Sequence, residues 1–139
     1  DARAHGVIVV GISGNQGENQ VMYPGKYRAV LAVSATDRSD LLAAFSNRGP
    51  EVAVSAPGDA ITAFTVGGRP ATESGTSFAA AHVTGVLALI LSLAPGLSAD
   101  EAVAVLESSC EDLGQRGRDA LFGNGLVDAW RAVERLRRP

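Results

Sequence analysis

Residues 74–85 read Ser-Gly-Thr-Ser-Phe-Ala-Ala-Ala-His-Val-Thr-Gly. The small residues Ser74, Gly75 and Thr76 form a turn that delivers Ser77 to the head of an apolar run. That run is rich in alanine and leucine as far as Leu93, which predicts a helix over 77–93 buried almost all round. A serine at the head of such a helix lies near the positive end of the peptide dipole and beside amide donors without intrahelical partners. The setting suits a nucleophile whose attack creates an oxyanion. It also suits a plain N-cap, in which the hydroxyl of Thr76 or Ser77 only closes the helix. The small residues Ala79, Ala80, Ala81 and Gly85 likewise read as room for close helix packing.

Upstream, Gly6–Ile12 is a continuous β-branched run without polar alternation, which predicts a strand covered on both faces, as in a parallel sheet. Gly11-Ile-Ser-Gly-Asn-Gln-Gly17 follows it directly. Glycines after a strand can cradle phosphates, but that motif needs a helix next, and residues 18–25 have no helical period and end in Pro24-Gly25. The alternative is that Gly14 and Gly17 bend the chain to present the Asn15 amide, a good donor to a developing oxyanion, or simply a turn residue. Ala29–Ser34 and Val52–Ala56 read as further strands. The polar connection between them, 37–50, has Phe45 as its one large anchor. Gly67-Gly68 between 60–65 and 69–73 predicts a hairpin.

Downstream, the apolar stretch Val83–Leu93 stops at Pro95-Gly96, too short to span a bilayer and better read as a buried helix. Ser98 and Glu101 have capping-box spacing before a helix with Ala102, Val103, Leu106 and Cys110 on one face. A third helix, roughly 127–136, carries Trp130, Val133 and Leu136 at helical spacing, and the basic tail 135–139 reads as solvated.

Composition narrows the field. With 139 residues, 46% hydrophobic and only 19% charged, the chain can build a core and is not disordered. A net charge of −3 excludes gripping nucleic acid by bulk charge. The one cysteine, Cys110, cannot form an internal disulfide and reads as a small buried hydrophobe. Asp1–Gly6 lack the basic-then-apolar pattern of a signal peptide. Length alone predicts one compact domain.

Taken in order, these segments resemble the C-terminal part of a subtilisin-family serine peptidase. Residues 75–85 resemble the family pattern Gly-Thr-Ser-x-Ala-x-Pro-His-Val-x-Gly at every fixed position but one. Ser13–Gly17, Tyr23–Tyr27, Phe45–Pro50, Ala56–Gly58 and Gly123–Asp128 match family landmarks in sequence. The resemblance implies an α/β fold, a parallel sheet flanked by helices, with 1–139 the C-terminal portion of one peptidase domain whose N-terminal half is missing. It implies Ser77 as nucleophile, and Asn15 with the Ser77 amide as oxyanion donors. Ile12, Ser13 and Gly14 would form one wall of the substrate pocket, with Met22 near its floor favouring apolar side chains. The expected partners are a protein or peptide substrate and the missing N-terminal part, with no nucleic acid, membrane, cofactor or metal. Carbonyls around Gly25, Tyr27 and Val30, with Glu51 nearby, resemble a weak cation site, but Ala53 stands where a second acid would strengthen it. Family members are mostly exported, which implies an extracytoplasmic location.

Two departures stand out. Ala81 replaces the family's proline; alanine is the better helix former, so the helix should survive, while loss of the proline would shift the Ser77 hydroxyl slightly. The family's catalytic aspartate and histidine are absent: only His5 and His82 occur, His82 lies five residues beyond Ser77 and faces away from it, and no family motif surrounds His5. The fragment alone is therefore expected to be inactive, and a non-catalytic subtilisin-like interaction module is the rival reading.

Overall fold

The computed structural model describes residues 2–137. The chain builds a parallel sheet from β1 (Val9–Ile12), β2 (Val30–Thr36) and β3 (Val52–Pro57), in the order β1-β2-β3. A hairpin, β4 (Ile61–Phe64) with β5 (Pro70–Glu73), leads into α1 (Thr76–Leu93), then α2 (Ala99–Ser109) and α3 (Ala129–Arg137). The hairpin turns at Gly67-Gly68, as its sequence predicts. Val9 pairs with Val30 and Val33 with Val54, so β-branched residues sit side by side across the sheet.

Alternation along the strands separates two faces. Val33, Ala35, Val54 and Ala56 pack with Ala79, Val83, Leu87 and Ile90 of α1. Ala32 and Val52 meet Val21 in a smaller cluster. Ser34, the register partner of Ser55, donates to the Leu121 carbonyl at 2.7 Å, so an irregular segment rather than a helix covers it. Helices thus back one face, and all three strands point their C-terminal ends toward the segments that carry Asn15 and Ser77.

The sequence expectations need five corrections. β1 begins at Val9, and Val7, placed in the strand by its side chain alone, is 51% exposed. β1 itself is only half-covered. α1 is not buried all round: its buried residues are Thr76, Ala79, Val83, Leu87 and Ile90, while Ala81, Thr84, Gly85, Ala88 and Leu89 are exposed. Counted from Thr76, α1 is also long and apolar enough to cross a bilayer by length and composition, although its buried stripe lies on the sheet. Trp130 is 68% exposed; Ala132 is the buried residue of α3, and Val133 and Leu136 flank it. Of the tail expected to be solvated, Arg138 and Pro139 lie outside the described residues.

Candidate active site

β1 ends at Ile12, and the chain turns tightly through residues 13–18. Gly14 (φ 122°) and Gly17 (φ 69°) occupy backbone conformations that strain any side chain. Space forbids one as well, since a Cβ on Gly14 would collide with Asn47 Nδ2 and one on Gly17 would lie 2.8 Å from the Ala44 carbonyl. No helix follows this turn, so the phosphate-cradle reading has no helix N-terminus to use.

Asn15 is left exposed at the crest. Its Oδ1 accepts two hydrogen bonds from Thr76, 61 residues away in sequence: the backbone N–H donates at 2.9 Å and the hydroxyl at 2.7 Å. With that oxygen engaged, Nδ2 is the free end of the amide. A Cβ built on Gly75 would lie 3.6 Å from Asn15 Nδ2 and 3.8 Å from the Ser77 nitrogen. The Asn15 amide and the Ser77 nitrogen, from distant segments, thus both lie close to Gly75.

Gly75 is the N-cap of α1 and offers no side chain, so neither Thr76 nor Ser77 caps the helix. The Thr76 N–H, one of the orphan donors of the first turn, is taken by Asn15 instead. The approach to the turn is held by Gly75 N–H donating to the Gly58 carbonyl (2.8 Å) and Ala60 N–H donating to Ser74 Oγ (2.9 Å). Ser74 in turn donates to Asp59 Oδ1 at 2.6 Å. The Ser77 side chain is exposed at this helix head. Ala81 is the sixth residue of an unbroken α1, beyond the first turn, so the helix does survive without proline there.

Neither histidine is aimed at Ser77. His82 is exposed, and its Nδ1 lies 2.9 Å from the Phe78 carbonyl of its own helix. His5 sits in a short 3₁₀ turn, Arg3–His5, at the end of β1 opposite Asn15.

The expected pocket residues do come together. Met22 N–H donates to the Ser13 carbonyl at 2.8 Å, and Gly25 packs so closely on the Ile12 carbonyl that a Cβ there would clash. Met22 and Gly25 thus lie beside Ser13 and Ile12. Met22 is 44% exposed, whereas Ser13 is fully buried, its N–H donating to the Val33 carbonyl and its carbonyl accepting from Met22 N–H.

A cavity of about 460 Å³ opens elsewhere, at the N-terminal ends of the strands beside Val9, Tyr27, Val30 and Ala53. Glu51 and Ala53 line it as the weak-cation reading expects, and Arg118 Nη2 also lines it, donating to the Pro50 and Val52 carbonyls at 2.9 Å each. A fixed guanidinium there repels a metal ion, and no group of three or more His, Cys, Asp or Glu assembles among the described residues. Cys110 is half-buried at the end of α2, and burial, with Glu107 and Asp128 nearby, pushes its thiol up to about 12.

One residue of the site falls within the Phe45–Pro50 landmark, yet nothing in the sequence gives it a role at this turn. Asn47 is fully buried beneath the Asn15 turn, and its partners there lie about thirty residues away.

The family model of the subtilases matches residues 1–125. A "Thermostable alkaline protease" of Halalkalibacterium halodurans is 40% identical over 129 residues, covering 93% of this chain and 35% of the relative. The "Minor extracellular protease Epr" of Bacillus subtilis is 41% identical over 127 residues, covering 91% of this chain but 20% of its own length. A solved structure titled "Crystal Structure of a Lanthipeptide Protease" superposes with a TM-score of 0.90 at 25% identity, over 97% of this chain and 52% of that one. The chain therefore spans about half, or less, of the proteins it matches. Sequence, fold and the order of the segments agree: this chain belongs to the subtilase family.

Proposed function

We propose that this chain supplies the nucleophile and the oxyanion donors of a subtilisin-type serine endopeptidase, and that a complementing N-terminal part of the same domain supplies the histidine base and its aspartate. The observation that carries this reading is that Asn15 Nδ2 and the Ser77 nitrogen both lie close to Gly75, next to an exposed Ser77. Ser77 Oγ attacks the carbonyl carbon of a peptide bond while the histidine removes its proton. The carbonyl π electrons move onto oxygen, which accepts hydrogen bonds from both donors. Collapse breaks the C–N bond, the amine leaves with the proton, and water then releases the acyl group from Ser77. An apolar side chain before the scissile bond lies along Ile12, Ser13 and Gly14, toward Met22. The substrate is a protein or peptide, the location extracytoplasmic like that of its extracellular relative, and no cofactor takes part.

A fluorophosphonate probe tests this. Ser77 should stay unlabelled in the isolated chain and react once the N-terminal part is added; rapid labelling of the isolated chain would refute the division of labour. With the two parts together, Asn15→Ala should lower turnover by about 10²–10³, a magnitude carried over from subtilisin itself. The rival reading, a non-catalytic interaction module, draws on the His82 ring lying against its own helix and on the place of His5 in the turn before β1. It predicts no labelling under any condition and an unchanged partner affinity in Ser77→Ala.

A further inference from the structure

We infer that Asn47 is a positioning residue that sets where Asn15 places its N–H, an inference that rests on the oxyanion reading of Asn15. Asn47 is fully buried, yet nearly all its hydrogen-bonding capacity goes to the turn on either side of Asn15. Its Oδ1 accepts from Gln16 N–H (2.9 Å) and Glu18 N–H (3.0 Å). Its Nδ2 donates to Gln16 Oε1 (3.2 Å), which also accepts from the Asn15 N–H (3.1 Å). Its own backbone N–H donates to the Gly14 carbonyl at 2.9 Å. Backbone groups of residues 15, 16 and 18 are thus tied to the Asn47 side chain, directly or through Gln16, and residue 14 to its backbone. The Asn47 amide also fills the space that a side chain at residue 14 would take. Asn15, by contrast, is exposed, and its side-chain hydrogen bonds go to Thr76 among the described residues, so the backbone beneath it decides where Nδ2 lies. An amide suits the task because it accepts and donates at once. Carboxylate oxygen can replace the acceptor of the Gln16 and Glu18 N–H groups; an alkyl group cannot.

The test uses the whole protease that carries this chain, with each preparation titrated for active sites so that misfolded enzyme is not counted. Asn47→Ala should lower kcat by up to about 10²-fold, the cost of misplacing a catalytic group by about an ångström, with KM little changed. Asn47→Asp should recover most of that loss. Gln16→Ala, at an exposed position, should show a smaller loss of the same kind. In an Asn15→Ala background neither substitution should cost more than about twofold, because positioning a donor that is no longer there has no value. Unchanged kcat in both Asn47→Ala and Gln16→Ala, or a full loss that persists without Asn15, overturns the inference. If Asn15→Ala itself leaves kcat intact, the oxyanion reading falls and takes this inference with it; if Asn15→Ala is slow and the other two are normal, only the role of Asn47 falls.

Discussion

On the proposed reading, Asn15 divides its amide between two tasks. The oxygen accepts from Thr76 and closes the first turn of α1, while the nitrogen faces the space beside the Ser77 N–H. Two substitutions separate these tasks. Asn15→Asp keeps the acceptor and loses the donor, so it should retain stability and lose turnover as fully as Asn15→Ala. Asn15→Ala removes the cap as well and should cost about 1 kcal/mol in denaturant melts, in line with other lost caps. Equal stabilities for the two would count against the cap. At Cys110 a thiol pushed up to about 12 leaves almost no thiolate at neutral pH, so maleimide labelling should wait for unfolding. Ser77 and Asn15 were legible as candidates because each sits where a strand or turn meets a special backbone. Thr76 as a partner of Asn15, and the role of Asn47 within the Phe45–Pro50 landmark, were not, because their partners lie far away in sequence and no local period records such a bond. Trp130 failed for another reason: its spacing to Val133 is helical, but the packed face of α3 is set by Ala132.

The elements show where local chemistry suffices. Ser98 and Glu101 form a complete capping box at the start of α2, with Ser98 N–H donating to Glu101 Oε2 at 2.8 Å. Those bonds, the backbone one foremost, hold the Glu101 carboxyl below its usual range. Its contribution is therefore present above the ordinary glutamate range and lost as pH falls through the lowered value. Glu107, on the same helix, is shifted the other way by burial, partly offset by Arg118 and Arg3. A raised acid opposes folding when ionised, so Glu107→Gln should stabilise the protein at neutral pH. The gain should shrink as pH falls through the raised value, read from melts at the two pH values. Ser98→Ala should cost about 1 kcal/mol, lowering the melting temperature. Capping and hairpin signals are written in neighbouring residues, which is why the hairpin and the start of α2 were legible. The burial of α1 was not, since an alanine- and leucine-rich run does not say how many of its faces this chain covers.

At the scale of the molecule, one side of the architecture stays open. β1 is an edge strand, while β3 gains a bridge from Ser55 to Leu126 on its outer side. Ala81, Gly85, Ala88 and Leu89 of α1 are exposed, and so are Val7 and Leu93. An unpaired parallel strand and an uncovered apolar helix face invite association. The isolated chain should therefore self-associate in sedimentation velocity, and Leu89→Lys should reduce that association. A monodisperse monomer with a cooperative melt would show that the open side is tolerated. The α/β class follows from β-branched runs and helical periods within 139 residues; the strand order does not, and the open side was implied only by the resemblance to a larger domain, because it concerns what packs against the chain rather than what it contains.

The bond from Thr76 to Asn15 also bears on how such a chain would age in evolution. A lineage that no longer needs peptide cleavage can exchange the Ser77 hydroxyl without touching the start of α1. Exchanging Asn15 loosens that helix, so selection for folding alone preserves it. The asparagine should outlast the serine in descendants that have stopped cutting, and an intact asparagine turn, met by itself, testifies to a well-anchored helix before it testifies to an active enzyme.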